Sequence, residues 1–164
     1  RHLILRTSWV YGAVGKNFML TILRLAGERD ELKIVADQIG APTWCRDIAA
    51  ATAGILQRLA NVPPELVSGI YNMTAAGSTS WHGFAAAILE EAAASSRITG
   101  KPRLLPIPTT EYPLPAMRPR NSVLAHDKLK NTFGIELPDW RASLVACLAE
   151  RQWLGNLWIH GLMN

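Results

Sequence analysis

The chain has 164 residues, 49% of them hydrophobic and 18% charged, which is typical of one globular domain and excludes a fibrous or disordered protein. Its 17 Lys and Arg against 13 Asp and Glu give a net charge of +4. This mild excess suits anionic small molecules, and the scattered basic residues argue against a nucleic-acid partner. The longest stretch without a charged side chain, 66–89, contains Ser, Thr, Asn and His, which excludes a membrane span.

The two cysteines, Cys45 and Cys147, lie far apart in the sequence and in no metal-binding or CxxC spacing. The sequence therefore predicts neither a disulfide framework nor a zinc site. We expect both side chains to be small buried hydrophobic groups. This cysteine usage favours a reducing, cytoplasmic setting.

Apolar residues at strand and helix spacings predict an α/β order in the first half of the chain. Small polar residues before two of the apolar runs are typical helix caps. The expected elements are a strand over 2–7, a helix capped by Asn17 and running to 29, a strand over 32–36, a structured loop over 37–46, and a helix capped by Asp47 and ending near 61.

The second half of the chain continues this alternation. Six prolines within 102–119 predict extended chain without a helix, and at most one edge strand. The expected elements are a strand over 69–74, a helix capped by Ser80 that fades before 100, the edge strand over 103–107, a helix over 126–133 stopped by Gly134, and a last helix capped by Asp139. Strands that alternate with helices indicate an α/β fold with parallel strand pairing.

Five longer segments occur in one order along the chain: RHLILRTSWVYG, NFMLTILRLA, DQIGAPTW, GIYNMTAAGSTSWHGFA and RPRNSVLAHDKL. Together they resemble the C-terminal portion of the dTDP-4-dehydrorhamnose reductases. These extended short-chain dehydrogenase/reductases make dTDP-L-rhamnose for bacterial surface polysaccharides. The resemblance implies that residues 1–150 contain the last elements of a Rossmann-like fold and the smaller substrate-binding domain. The apolar tail 151–164 lies outside it, and we expect the tail to dock against its own core or a neighbouring subunit.

Two motifs of the family are missing from this sequence. Members begin with a glycine-rich turn that seats the NADPH pyrophosphate, and later carry a Tyr-x-x-x-Lys pair whose Tyr donates a proton to the C4 alkoxide. Here no Gly-x-x-Gly-x-x-Gly occurs, and no tyrosine is followed four positions later by Lys: the pairs are Tyr11 and Gly15, Tyr71 and Ala75, Tyr112 and Ala116. The resemblance therefore implies the second half of an enzyme, with no catalytic or cofactor-binding residue of its own, and predicts that this chain alone is inactive.

Trp9 is the leading candidate for contact with a substrate sugar. It follows the first strand directly, at the carboxyl edge where open α/β sheets bind ligands, and the Trp of this block lines the sugar pocket in the family. An indole there would pack against the apolar face of a deoxysugar, whereas the alternative is an ordinary core tryptophan. The hydroxyls of Thr7 and Ser8 would bond the sugar or the catalytic Tyr, or else tie down the turn.

The remaining substrate contacts are expected from two later segments. In loop 37–46, Gln38 and Thr43 offer an amide and a hydroxyl to the nucleotide part of the substrate, which the corresponding loop covers in extended relatives. Arg118 and Arg120 are expected to meet the diphosphate, because a planar guanidinium forms bidentate charge-assisted hydrogen bonds with phosphate oxygens.

A metal site is not expected. Some family members hold Mg²⁺ at a dimer interface through carboxylates of this region, but Arg46 has no acceptor atom, which leaves Glu150 as a lone candidate ligand. The resemblance implies a dTDP-sugar substrate, NADPH held mainly by the other half of the enzyme, and leaves a homodimer open. The alternatives are another nucleotide-sugar reductase or epimerase, a non-catalytic regulatory subunit on the same fold, and a truncated relic without a biochemical role.

Overall fold

The computed structural model describes residues 2–59, 62–63, 67–95, 98, 101–113 and 115–159, and for 152–159 the backbone alone. Eight strands and five helices lie in these ranges. The strands are β1 (Leu3–Arg6), β2 (Val10–Tyr11), β3 (Glu31–Val35), β4 (Ile39–Gly40), β5 (Thr43–Trp44), β6 (Gly69–Asn72), β7 (Thr79–Ser80) and β8 (Arg103–Ile107). The helices are α1 (Phe18–Ala26), α2 (Cys45–Leu59), α3 (Trp81–Ala94), α4 (Asp127–Phe133) and α5 (Trp140–Ile159).

Parallel pairing dominates, as predicted for an α/β fold. Strand β1 pairs with β6 from Leu3 opposite Gly69 to Arg6 opposite Asn72, and β3 pairs with β8 over five residues. Strands β2 and β5 are also parallel, whereas β4 and β7 are antiparallel. The described strands therefore form four two-stranded sheets, each strand linked to a partner far along the chain.

Two hydrophobic clusters hold these elements together. The larger one packs α1, α3 and α5 against each other around Phe84, which has no exposed surface. The smaller one lies between the β1–β6 pair and helices α2 and α4, with Tyr71 and Phe133 at a ring-centroid distance of 5.1 Å. The parallel strands are thus covered by helices on the side that carries their apolar residues, as parallel sheets require.

The helix boundaries confirm most of the predicted caps. Asn17 accepts a hydrogen bond from the Leu20 amide at 3.1 Å, Ser80 accepts one from the Gly83 amide at 2.9 Å, and Asp139 accepts one from the Arg141 amide at 2.9 Å. Each satisfies one of the free amides at a helix start. Gly134 ends α4 with φ +59°, a left-handed conformation that glycine adopts without strain.

The predicted cap at Asp47 is wrong. Helix α2 begins at Cys45, two residues before Asp47, because β5 runs directly into it. Asp47 therefore lies in the first turn, where its carboxylate accepts a hydrogen bond from the Ser143 hydroxyl at 2.5 Å. This contact ties α2 to α5, which is a tertiary role that the local pattern did not show.

The proline-rich segment contains the predicted edge strand, β8, which pairs with β3. It also contains a three-residue 3₁₀ turn, Thr109–Glu111, which interrupts the extended chain that the prolines predict. Pro108 precedes this turn, and its fixed φ is compatible with a helical start. Among the described residues we find no helix that meets the length and hydropathy needed to cross a bilayer. The predicted docking of the apolar tail, 151–164, involves side chains that lie outside the described part of the chain.

Candidate functional site

Trp9 lies three residues after the end of β1 and directly before β2, in an unusual backbone conformation. Its φ of +47° is in the left-handed region, which costs a bulky residue about 1–3 kcal/mol and persists only when the surroundings hold it. The Trp9 carbonyl accepts a hydrogen bond from the Thr43 amide at 3.1 Å. This bond extends the parallel β2–β5 pairing by one residue, so Trp9 is tied to the start of β5.

The Trp9 indole stacks on the indole of Trp81, the first residue of α3. The ring centroids are 3.6 Å apart and the planes differ by 6°. Phe18 lies against Trp81 at 4.7 Å, and Phe84 lies 5.7 Å from Phe18. An aromatic series therefore runs from the buried Phe84 out to the half-buried Trp9.

A chain of hydrogen bonds starts from the same tryptophan pair. Trp81 donates its indole N–H to the Gln38 side-chain oxygen at 3.2 Å, and the Gln38 amide nitrogen donates to the Thr109 hydroxyl at 3.1 Å. The Thr109 hydroxyl and backbone amide both donate to Asp37, at 2.6 and 2.8 Å. The pKa of the Asp37 carboxyl is lowered, chiefly by the hydrogen bond from the Thr109 side chain. The Thr109 backbone amide and the charge of Arg120 lower it further.

An open cleft of about 180 Å³ lies beside this chain of hydrogen bonds. It is lined by the buried Gln38, the half-buried Thr109 and the exposed, basic Arg118. Its other lining residues come from the proline-rich segment: Tyr112, Pro113, Ala116 and Met117. The cleft thus combines an amide, a hydroxyl, an aromatic ring and a guanidinium, which can bind a polar anionic ligand that has a planar part.

The structure brings several of the predicted site residues together. Gln38 is 6% exposed and joins the tryptophan pair to the cleft. Arg118 lines the cleft, and Arg120 lies beside loop 37–46, since its carbonyl accepts a hydrogen bond from the Ile39 amide at 2.8 Å. The Ser8 hydroxyl, next to Trp9, is buried and has no hydrogen-bond partner among the described residues.

The structure does not bring Thr43 or Thr7 to the cleft. Thr43 has no exposed surface, and its hydroxyl donates to the Ala41 carbonyl at 3.0 Å and accepts from the Ala75 amide at 3.2 Å. Because both functions of this hydroxyl are used inside the fold, the expected nucleotide contact by Thr43 has no surface through which to form. We leave Thr43 out of the site. Thr7 is exposed at the end of β1 and makes no side-chain hydrogen bond with another described residue.

The sequence reasoning missed three residues of this region. Trp81 has the spacing of a core residue, and its stacking on Trp9 is a tertiary contact that no local pattern shows. Tyr112 and Thr109 lie in a proline-rich run that predicts only extended chain. The available signal was the aromatic and hydroxyl content of that run, which is unusual for a simple linker.

The described residues do not offer a metal site. Glu150, the lone candidate ligand, forms an ion pair with Arg46 at 2.8 Å. Within the described part of the chain, no three His, Cys, Asp or Glu side chains lie close enough to share an ion. The two cysteines differ from each other, since Cys147 is buried, as predicted, but Cys45 is exposed at the start of α2, so that half of the prediction is wrong.

We also tested whether the described residues fit the NADPH that the resemblance implies. A pyrophosphate needs a glycine-rich turn between a strand and a helix, so that backbone amides approach it. Helices α2 and α3 follow strands directly, but they begin with Cys45 and Trp81. A Cβ built at Gly12 would lie 2.8 Å from the Cys45 sulfur, so the start of α2 is closely packed. At the start of α3, Trp81 is covered by the Trp9 ring. The starts of α2 and α3 therefore do not fit a pyrophosphate. At the glycine-bearing turn between β2 and α1, the Asn17 side chain donates to the Gly12 and Val14 carbonyls and accepts from the Leu20 amide, so this turn is closed by its own helix cap.

Comparison with known proteins decides the family. The family model of the RmlD substrate binding domain matches residues 1–153. The chain belongs to this family. Among curated relatives of this RmlD-type domain, the dTDP-4-dehydrorhamnose reductase of Burkholderia thailandensis is 52% identical over 155 residues, covering 90% of this chain and 51% of the relative. The enzyme of the same name from Escherichia coli K12 is 43% identical over 150 residues, covering 92% and 50%.

Solved structures agree with this assignment. The dTDP-4-dehydrorhamnose reductase of Clostridium acetobutylicum superposes with a TM-score of 0.79 at 33% identity, covering 92% of this chain and 49% of that one. The Bacillus anthracis enzyme, solved in complex with NADP, gives 0.74 at 36% identity, covering 90% and 48%. This RmlD-type domain thus has the C-terminal part of the extended short-chain dehydrogenase/reductase fold, and it spans about half the length of the relatives it matches.

Proposed function

We propose that this RmlD-type domain is the substrate-binding half of an NADPH-dependent dTDP-4-dehydrorhamnose reductase, which reduces dTDP-4-dehydro-L-rhamnose to dTDP-L-rhamnose. The observation that carries the proposal is the placement of Trp9. A strained tryptophan, stacked on a neighbour that is hydrogen-bonded to the lining of a cleft, lies three residues past the carboxyl end of the parallel strand β1. This is the edge at which α/β folds bind ligands. The identity of 52% to the Burkholderia thailandensis reductase supports the substrate class.

Trp9 would contact the sugar. One indole face is covered by Trp81 at 3.6 Å, so the uncovered part of the half-buried ring remains for the ligand. An indole packs well against the apolar face and methyl group of a deoxysugar and keeps water from the reacting carbon. The neighbouring Ser8 hydroxyl, buried without a partner among the described residues, would gain a hydrogen bond from a sugar hydroxyl or from the catalytic tyrosine, as would Thr7.

The cleft beside Gln38 would take the nucleotide part. Arg118, exposed at its edge, is suited to the diphosphate because a guanidinium binds two phosphate oxygens at once. Arg120 already lies near the Asp37 carboxylate, so part of its charge is compensated, and its contribution is the smaller of the two. Tyr112 offers a half-exposed ring on which a thymine base would stack.

The sequence contains no Tyr-x-x-x-Lys spacing, which in the resembled family supplies the proton donor for the C4 alkoxide. We assign the Tyr-x-x-x-Lys pair and most of the NADPH contacts to the half of the reductase that this chain does not cover. The chain alone is therefore expected to bind the sugar nucleotide without reducing it. Its proposed role is to hold the C4 carbonyl in a fixed and water-poor position.

A hybrid reductase tests the proposal directly. In this hybrid, the chain replaces the matching half of the Burkholderia thailandensis enzyme, and NADPH oxidation is followed with dTDP-4-dehydro-L-rhamnose. We expect turnover, with Arg118→Ala raising the KM for the sugar nucleotide about tenfold or more, because a charge-assisted hydrogen-bond pair is worth about 1.5–3 kcal/mol. The Arg118→Lys variant should recover only part of this loss, since Lys lacks the bidentate geometry.

The outcomes separate the alternatives. A folded hybrid that binds NADPH and turns over a UDP-sugar but not the dTDP-sugar would point to another nucleotide-sugar enzyme. A folded hybrid with no turnover of any sugar nucleotide would contradict the enzymatic proposal and favour a regulatory module. The solved UDP-N-acetylglucosamine 4-epimerase of Bacillus cereus, with a TM-score of 0.60 at 17% identity, shares the fold alone and does not favour the epimerase alternative.

A further inference from the structure

We propose that Trp81 is a positioning residue that fixes the plane of the Trp9 indole and thereby sets the affinity for the sugar nucleotide. The kinetic part of this inference rests on the proposed function, since Trp9 is the residue assigned to the sugar. The structural part, that Trp81 holds Trp9, depends only on the contacts of the two rings.

Trp9 has few other constraints on its side chain. Its strained backbone, with φ +47°, directs the Cα–Cβ bond but leaves the side-chain torsions free. No described residue accepts a hydrogen bond from its indole nitrogen. The near-parallel contact with Trp81, at 3.6 Å and 6°, is therefore one of two packing contacts that select the orientation of the ring, and the other is with the β4 backbone at Gly40.

Trp81, in contrast, is held from several sides. Its N–H donates to the buried Gln38 at 3.2 Å, and this bond fixes the rotation of the ring. Phe18 supports it at 4.7 Å, on the side that leads to the core. Its backbone is the start of α3, which Ser80 caps. A rigid ring that is anchored in the fold thus presents its face to a ring that is not.

Gly40 lies against one edge of the Trp9 indole. A Cβ at Gly40 would lie 2.7 Å from both Trp9 Cζ2 and Ser122 Oγ, so the indole is already in van der Waals contact with the β4 backbone. Loss of the Trp81 face would leave Trp9 free to rotate away from this contact. The ligand would then have to order the ring when it binds, and its apparent affinity would fall.

Circular dichroism of the chain tests the structural part. Two stacked indoles couple their electronic transitions and give an exciton couplet. We expect Trp81→Phe and Trp9→Phe each to remove this couplet, and the double variant to remove no more than either single one. The matched control is Trp140→Phe, which changes a tryptophan of the same aromatic series that contacts Phe84 at 6.0 Å and should leave the couplet intact. Retention of the couplet in Trp81→Phe, or its loss in the control, would overturn the stacking claim.

Kinetics of the hybrid reductase test the second part. Trp81→Phe keeps an aromatic ring but loses the bond to Gln38 and part of the stacking face. We expect it to raise the KM for the sugar nucleotide about three- to tenfold, the range for an aromatic pair, with kcat and the KM for NADPH unchanged. Thermal unfolding identifies a variant that does not fold, in which case Trp81→Tyr takes its place.

The possible failures are distinguishable. If the hybrid with wild-type Trp81 does not turn over, the proposed function fails, while the dichroism result stands by itself. If that hybrid is active and Trp81→Phe has the same KM for the sugar nucleotide as Trp140→Phe, the positioning role is refuted. A rise in both KM values together with a fall in kcat would also refute the positioning role, because it would indicate general damage to the core.

Discussion

Replacement of Gly40 by alanine tests the packing around Trp9. Gly40 has no positive φ, so an alanine fits its backbone, and by itself the substitution would stabilise the chain by about 0.4–1 kcal/mol through the unfolded state. The new Cβ, however, would lie 2.7 Å from Trp9 Cζ2 and from Ser122 Oγ, and closer still to Trp9 Cε2. Real Cβ atoms do not approach this near, so one of these groups must move.

Neither neighbour moves at low cost. The Trp9 ring is backed by Trp81, and the Ser122 hydroxyl donates to the Ile39 carbonyl at 3.1 Å. Overpacking of this kind costs about 1–3 kcal/mol. After the gain from the unfolded state is subtracted, the middle of the two ranges leaves about 1.3 kcal/mol, so we expect Gly40→Ala to lower the free energy of unfolding by roughly this amount. It should also raise the KM of the hybrid reductase for the sugar nucleotide, since Trp9 is displaced.

Urea unfolding measures this change, and Gly54→Ala is the matched control. Gly54 lies inside α2, where its Cβ would meet only the ends of two flexible side chains, Arg58 Nη1 at 3.2 Å and Ile135 Cδ1 at 3.3 Å. Glycine inside a helix is about 0.5–1 kcal/mol less stable than alanine, so the control should be stabilised or unchanged. If Gly40→Ala is as stable as the wild type, the close packing on Trp9 is refuted.

Three further predictions follow from the same geometry. Thr43→Val leaves the Ala75 amide without its acceptor and should destabilise the fold by about 1–3 kcal/mol in urea unfolding, with an unchanged KM for the sugar nucleotide; a raised KM at unchanged stability would return Thr43 to the site. Hydrogen bonds from Thr109 lower the pKa of the Asp37 carboxyl in the folded chain. The ionised carboxylate therefore stabilises the fold at pH values above its pKa in the unfolded chain, and this contribution is lost as the pH falls through its pKa in the folded chain. The free energy of unfolding should therefore fall less on acidification in Asp37→Asn than in the wild type, and equal slopes would contradict this. Burial raises the pKa of the Cys147 thiol to about 12, whereas Cys45 is exposed, so a thiol reagent should label Cys45 alone in the native chain and both cysteines in denaturant; labelling of Cys147 in the native chain would show that it is accessible.

Local sequence signals were sufficient for the main helices and for the longer strands. Asn17, Ser80 and Asp139 are small polar residues directly before apolar helical runs, and each accepts the amide hydrogen bond that its type and position predict. The order of strands and helices, together with the five family-like segments, was also sufficient for the fold class. These features depend on residues close together in the chain.

The features that were missed depend on contacts between distant residues. Strands β2, β4, β5 and β7 have two residues each, too few for a period, and exist only because a partner lies beside them. The Asp47 prediction failed because β5 continues into α2, so the helix start is set by the sheet. The link from Trp81 through Gln38 to Thr109 spans 43 and then 71 positions, and no local pattern predicts such a pairing.

Equilibrium binding to this chain tests most directly the proposal that it binds the sugar nucleotide but not NADPH. Isothermal titration of the chain with dTDP-L-rhamnose, and separately with NADPH, compares the two ligands on the same sample. We predict that the sugar nucleotide binds, that Arg118→Ala weakens this binding, and that NADPH gives no measurable heat. Binding of NADPH without binding of dTDP-L-rhamnose, by a chain with a cooperative unfolding transition, would contradict the account.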